Sequence, residues 1–169
     1  MSPATIFDAH LVLGYACWLL CLSTFWPKLR AMDRTDALRL IAMLHSFRFF
    51  GLVFLLPGFV GPNLPSRFAS FAAYGDFATG LLAMLALLTI RRRPLFRTFT
   101  FAFNLVGSVD LIGDYYHGVT LGLADVAGQL GAAYAIPILY VPILMITHGA
   151  AFTLLLRPKP RTALSRPID

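Results

Sequence analysis

Asp110 and Asp114 stand four residues apart in the stretch from Asn104 to His117, inside an otherwise apolar run. At the helical period Asp110, Asp114 and His117 share one face, while Asn104, Ser108 and Tyr115 fall on a second face about a third of a turn away. A charged group near the bilayer centre costs about 3 kcal/mol or more, so it turns inward to a partner. Arg48 is a cation at matching depth. Counted at about 1.5 Å per residue from Ala37 it lies ~16 Å into its span, too deep to snorkel to either surface. Asp76, counted from Arg67, reaches ~14 Å. Arg48, Asp76 and Asp110 therefore form a midplane set drawn from three helices.

One cation cannot balance two ionised carboxylates, so one acid is expected to keep its proton. A neutral acid in an apolar cavity is a general acid for an alkene, epoxide or carbonyl of a lipophilic substrate. Asp114, one turn outward, is positioned to share or relay the proton. The expected roles are catalytic for Asp110, Asp114, Arg48 and His45, the last as base, and binding for Asp76, Asn104, Tyr115, Tyr140 and His148. The chemistry expected is isomerisation, cyclisation or ring opening by an isomerase, cyclase or hydrolase. The competing expectation is a static polar network that holds a bundle together.

The histidines define a different chemistry. His45 precedes Arg48 by three residues and shares its face. His148, about nine residues before Arg157, lies ~14 Å from the surface at a depth close to that of His45. His10 and His117 match at the opposite side. Paired histidines on facing helices hold b-type haem, so His45/His148 and His10/His117 keep a haem- or quinone-binding electron carrier as the alternative, with a non-catalytic assembly subunit as a third class. No HExxH or CxxC spacing occurs, and no metal site is predicted. Cys17 and Cys21, four apart on one helix, read as packing residues. Among the 15 Phe, the run Phe47, Phe49, Phe50 and Phe54 is suited to lining an isoprenoid or quinone pocket.

The elements that carry these residues follow from composition. Of 169 residues 58% are hydrophobic, and the mean hydropathy is +0.73. Five apolar stretches, near 5–26, 37–59, 67–90, 97–118 and 132–156, each approach the roughly 20 residues that cross a bilayer. The fold class expected is all-α, a polytopic membrane bundle of five transmembrane helices in a single domain. The net charge of +6 does not indicate nucleic acid. Twelve of the 14 basic residues fall into three groups on alternate loops, Lys28 to Arg39, Arg91 to Arg97 and Arg157 to Arg166. By the positive-inside rule the N-terminus is outside and the C-terminus, with a basic tail over 157–169, is cytoplasmic, as in a multi-pass inner-membrane protein.

The first span lacks a basic n-region and a cleavage site, so it is expected to persist as a helix, ending at Trp26-Pro27. A short loop makes the first two spans antiparallel neighbours. Pro57 to Pro65 is a turn region. Ala72, Asp76, Gly80 and Ala83 form a small-residue stripe that turns Asp76 toward protein. Pro137 and Pro142 should bend the fifth span and free carbonyls that need other donors. The cavity is expected at mid-depth between helices two, three, four and five. Its partners are the bilayer and a small lipophilic substrate; a homo-oligomer is compatible with the pattern.

Arg48, Gly51, Phe54 and Gly58, followed by Pro62, Phe68 and the acid Asp76 with Gly80 after it, resemble DoxX-type small membrane proteins over about a quarter of the chain. Asp76 stands where that pattern tends to have a glutamate. The resemblance implies a four-helix membrane protein associated with quinone-linked redox complexes, and the fifth helix with His148 has no place in that pattern.

Overall fold

The computed structural model describes residues 1–157. The tail residues Lys159, Arg161 and Arg166 lie outside the described residues. Five helices are long and apolar enough to cross a membrane: α1 (Pro3–Ala31), α2 (Arg34–Leu55), α3 (Ser66–Leu88), α4 (Arg93–Thr120) and α5 (Ile136–Leu156). A short 3₁₀ stretch, Ala127–Tyr134, leads into α5, and there is no β-strand among the described residues. The described residues form an all-helical bundle, five of whose helices could span a membrane.

Helix starts follow local chemistry. Ser2 caps α1 by accepting from the Thr5 amide at 3.2 Å. Asp33 caps α2 by accepting from the Thr35 amide at 2.8 Å, and Pro94 occupies the first turn of α4, where no amide hydrogen is needed. Two expectations for α1 are corrected. It does not stop at Trp26-Pro27 but runs through Pro27 to Ala31, since a proline inside a membrane helix frees only carbonyls that nearby groups can satisfy. It also leans chiefly on α5 and only lightly on its sequence neighbour α2. Side-chain bonds from α1 tie it to α5 and α4. The Trp18 indole donates to the Leu139 carbonyl at 2.8 Å, and Tyr15 and Tyr115 join their hydroxyls at 2.7 Å.

The two irregular spans have identifiable causes. In α2 the backbone tightens to 3₁₀ geometry over Phe47–Leu55. Three residues per turn stack positions i and i+3, which places Arg48, Gly51 and Phe54 on one buried ridge. The Tyr140 hydroxyl donates to the Leu44 carbonyl at 3.1 Å, where the change begins. In α5 a π turn occupies Ile136–Tyr140, next to Pro142, whose missing amide breaks the regular ladder. The Leu139 carbonyl in this turn accepts from Trp18, while the carbonyl that Pro142 leaves without its i+4 donor is that of Ile138, which lies against Gly14 of α1.

The core is layered. One apolar cluster includes Phe54, Phe68, Leu111, Leu130 and Leu144. A second includes Leu38, Ile41, Phe96, Phe103 and Leu154. The buried polar side chains, Arg48, Asp76, Asn104, Asp110, Asp114, His45 and His148 among them, come from the helices that these clusters join. At one end of the bundle the Gly61 amide donates to the Gln129 carbonyl at 2.7 Å. At the other, Arg157 donates to the Arg30 carbonyl at 2.8 Å and Arg34 donates to the Arg157 carbonyl. The first end carries Asp8 and Asp125, the second the arginine groups.

Candidate functional site: a buried arginine between two carboxylates

Arg48 is fully buried, and it is the one buried cation among the described residues. Its Nε donates to Asp76 Oδ1 at 2.6 Å and its Nη2 donates to Asp110 Oδ2 at 2.5 Å. The pairing is with both acids at once, and a planar guanidinium is the side chain whose fixed fork can serve two carboxylates on different helices. The third nitrogen, Nη1, points to the Gly107 carbonyl at 3.4 Å and to His148 Nε2 at 3.3 Å. Gly107 is required for this approach, since a Cβ there would lie 2.6 Å from Arg48 Nη1 and 2.6 Å from His148 Nε2.

His148 extends the network away from Arg48. Because Nε2 accepts from the guanidinium, the ring proton belongs on Nδ1, which donates to Asn104 Oδ1 at 2.9 Å. Asn104 in turn donates through Nδ2 to the Thr100 carbonyl at 2.8 Å. His45 sits on the same side, 3.0 Å from the Thr147 hydroxyl, with its ring centroid 4.1 Å from that of His148. Rings this close leave no space for a macrocycle and its iron between them. His10 and His117 are likewise engaged apart: His10 meets the Tyr134 hydroxyl at 3.0 Å, and His117 bonds the Gly113 carbonyl at 3.0 Å and packs on Phe71. Among the described residues no group of three His, Cys or Asp side chains is arranged to hold a metal ion.

On the other side of Arg48 lies a cavity of about 280 Å³. Asp76 and Asp114 line it together with Tyr115, and its apolar walls include Phe7, Phe54 and Phe68. The expected position is corrected in two respects. Helix α1 contributes Phe7, Asp8 and Leu11 to the wall, and the cavity reaches toward the end of the bundle that carries Asp8 and Asp125. The α1 wall was missed because this helix shows only a weak buried stripe, Phe7 and Gly14.

The structure separates residues that the sequence grouped. Asp114 lines the cavity, is 8% exposed, and leaves Oδ1 without a hydrogen-bond partner. Asp110 does not line this cavity. His45, Asn104 and His148 do not line it either; they belong to the closed network beyond Arg48. Tyr140 is a helix-to-helix tie through Leu44. On α4 the face with Asp110, Asp114 and His117 is buried and so is Asn104 of the second face, while Tyr115 of that second face meets Tyr15 of α1. Of the phenylalanine run, Phe54 alone turns inward, while Phe47 is 61% and Phe50 53% exposed.

Chemically, the arrangement holds a saturated arginine, one carboxylate fixed by it at the cavity wall, a buried second carboxylate, Asp114, with no cation of its own, and the exposed Asp8 and Asp125 farther along the wall. No curated protein and no solved structure matches the chain. The family described as Domain of unknown function (DUF8737) matches residues 6–156, nearly the entire span from α1 to the end of α5, and the chain belongs to that family.

Proposed function

We propose that the protein is an integral membrane enzyme that isomerises or cyclises a lipophilic ligand by proton transfer within the cavity between its helices. The observation that carries this reading is Asp114: a buried carboxyl group at the wall of an apolar cavity, with Oδ1 unpartnered, while Arg48 is already engaged by Asp76 and Asp110. With no counter-charge, Asp114 rests as the neutral acid, the form that such a wall accommodates. It gives its proton to one carbon of a ligand double bond, and its carboxylate takes a proton back from a neighbouring carbon. Atoms balance and no oxidant or reductant is consumed. Asp76, held by Arg48, and the faces of Phe54 and Phe68 stabilise the positive charge that develops between these steps. Ring opening is less well served, since it also needs a nucleophile and Asp76 is committed to Arg48. His45 is separated from the cavity, so Asp114 serves as both acid and base.

The membrane is the bacterial inner membrane in this reading, with the N-terminus and the cavity mouth outside. The arginine groups gathered at the opposite end of the bundle support it through the positive-inside rule. Mass spectrometry of the lipid extract from purified protein tests the cavity. A retained lipophilic molecule is expected in the wild type and is expected to be lost from Leu11→Trp, which fills the cavity from α1. An extract containing the same lipids for both proteins contradicts the proposal.

A further inference from the structure

Asp8, Asp76, Asp114 and Asp125 line the internal cavity, and no lysine, arginine or histidine is among its lining residues. The four acids are not equivalent. Asp76 is held by Arg48. Asp114 is 8% exposed and its Oδ1 is enclosed, so Oδ2 is the oxygen that meets the cavity. Asp8 and Asp125 are exposed and stand at the end of the bundle opposite the arginine groups. Helix α1 has 29 residues, about 43 Å of helix against roughly 30 Å of hydrocarbon. Its first turn therefore stands at headgroup level, with Asp8 at the edge of the hydrocarbon. Asp125 lies beyond Thr120, the last residue of α4. Arg67, an arginine at the same end, lines a separate crevice between α3 and α4. The cavity thus has an apolar body, a carboxyl group in its wall and two water-exposed carboxylates at its mouth.

We propose that the substrate of this cavity is a lipophilic amine, an apolar chain or ring system with a protonated amino group at one end. The inference rests on the proton-transfer reading of Asp114 and adds the chemical class of the molecule that receives the proton. The ammonium stays beside Asp8 and Asp125 in contact with water, so its charge never enters the hydrocarbon. The apolar part enters along Phe7, Leu11, Leu123 and Ile136. Asp114 precedes the end of α4 by six residues, about 9 Å along the helix, and the reacting carbon lies about that far from the amine. This separation matters to the chemistry. An ammonium beside Asp114 would favour its carboxylate form, whereas one kept at the mouth leaves the neutral acid in place. A phosphate, sulfate or carboxylate head meets like charge at Asp8 and Asp125 and is turned away.

The test uses the full chain in nanodiscs of zwitterionic lipid and three probes that share one chain: oleylamine, oleyl alcohol and oleyl sulfate. Retention is measured in excess of that by empty nanodiscs. The amine is expected to bind about tenfold more tightly than the alcohol, as two exposed ion pairs imply, and the sulfate not at all. Added salt should narrow the gap between amine and alcohol. Asp8→Asn combined with Asp125→Asn is expected to bring the amine down to the level of the alcohol and to leave the alcohol unchanged, which also reports that the variant is folded. Leu11→Trp should lose both. Equal binding of amine and alcohol by the wild type, an amine preference that survives in the double variant, sulfate retention equal to that of the amine, or undiminished amine binding by Leu11→Trp would each overturn the amine assignment. Where amine and alcohol bind equally and Leu11→Trp loses both, the cavity reading stands and the amine assignment alone falls. Retention of none of the three probes would overturn both.

Discussion

At the scale of single residues, Arg48 decides how the polar layer is built. It sits at 0% exposure between two acids, and its removal leaves buried charge uncompensated on both sides. Replacement by Met is therefore expected to destabilise the protein by about 3–5 kcal/mol in equilibrium unfolding. Arg48→Lys should rescue only part of this, because an ammonium lacks the fork that reaches Asp76 and Asp110 together. Wild-type stability in Arg48→Met would refute the bridging role. The midplane meeting of Arg48, Asp76 and Asp110 was legible in the sequence because helical rise converts residue counts into depth. What counting could not give was direction. Asp110 and Asp114 share a helix stripe, yet one is closed in against the backbone at Gly75 and the other lines the cavity, a difference set by packing at Gly75 and Tyr115 and by no spacing in the sequence.

Among the elements, the five spans were legible from apolar length, but their ends and irregularities were read less well. The 3₁₀ segment of α2 had a signal in Arg48, Gly51 and Phe54 at a period of three, which a search at the α-helical period passes over. Close approach of α4 to the network depends on Gly107. Gly107→Ala is expected to cost about 1–3 kcal/mol by displacing Arg48 and His148, whereas Gly149→Ala, where nothing lies within 4 Å of the added Cβ, should be neutral or slightly stabilising. Thermal unfolding of the two variants side by side separates close packing from helix propensity. At the start of α2, the Thr35 backbone amide, then its hydroxyl, and more weakly Arg93, hold the Asp33 carboxyl below its ordinary value of 3.8. The lowered value means that the cap contributes fully above pH 3.8 and fades as pH falls through the folded-state value. Asp33→Ala is expected to lose about 0.5–2 kcal/mol at pH 7, with the gap to wild type closing as unfolding is measured at progressively lower pH below 3.8.

For the whole molecule, two apolar clusters and a buried polar layer give the bundle a defined asymmetry: a cavity on one side of Arg48 and a closed histidine network on the other. Composition identified a bundle of five helices apolar enough to span a membrane, but α1 was the least legible part of its assembly. Most of its surface faces outward, and the bonds of Tyr15 and Trp18 that seat it against α4 and α5 are made by residues ordinary in any membrane helix. With α1 seated, Phe7, Asp8 and Leu11 complete the lining of the cavity, and Asp114 faces that cavity. The account's central claim is that Asp114 transfers a proton to carbon. It is tested most directly by incubating the protein in D₂O with the lipophilic molecule that it retains and measuring deuterium in that molecule by mass spectrometry. Wild-type protein is predicted to introduce deuterium at a carbon that does not exchange in solution, and Asp114→Asn, folded and loaded to the same extent, to introduce none. A ligand that stays free of deuterium with wild-type protein, or one labelled equally fast by Asp114→Asn, would contradict the account.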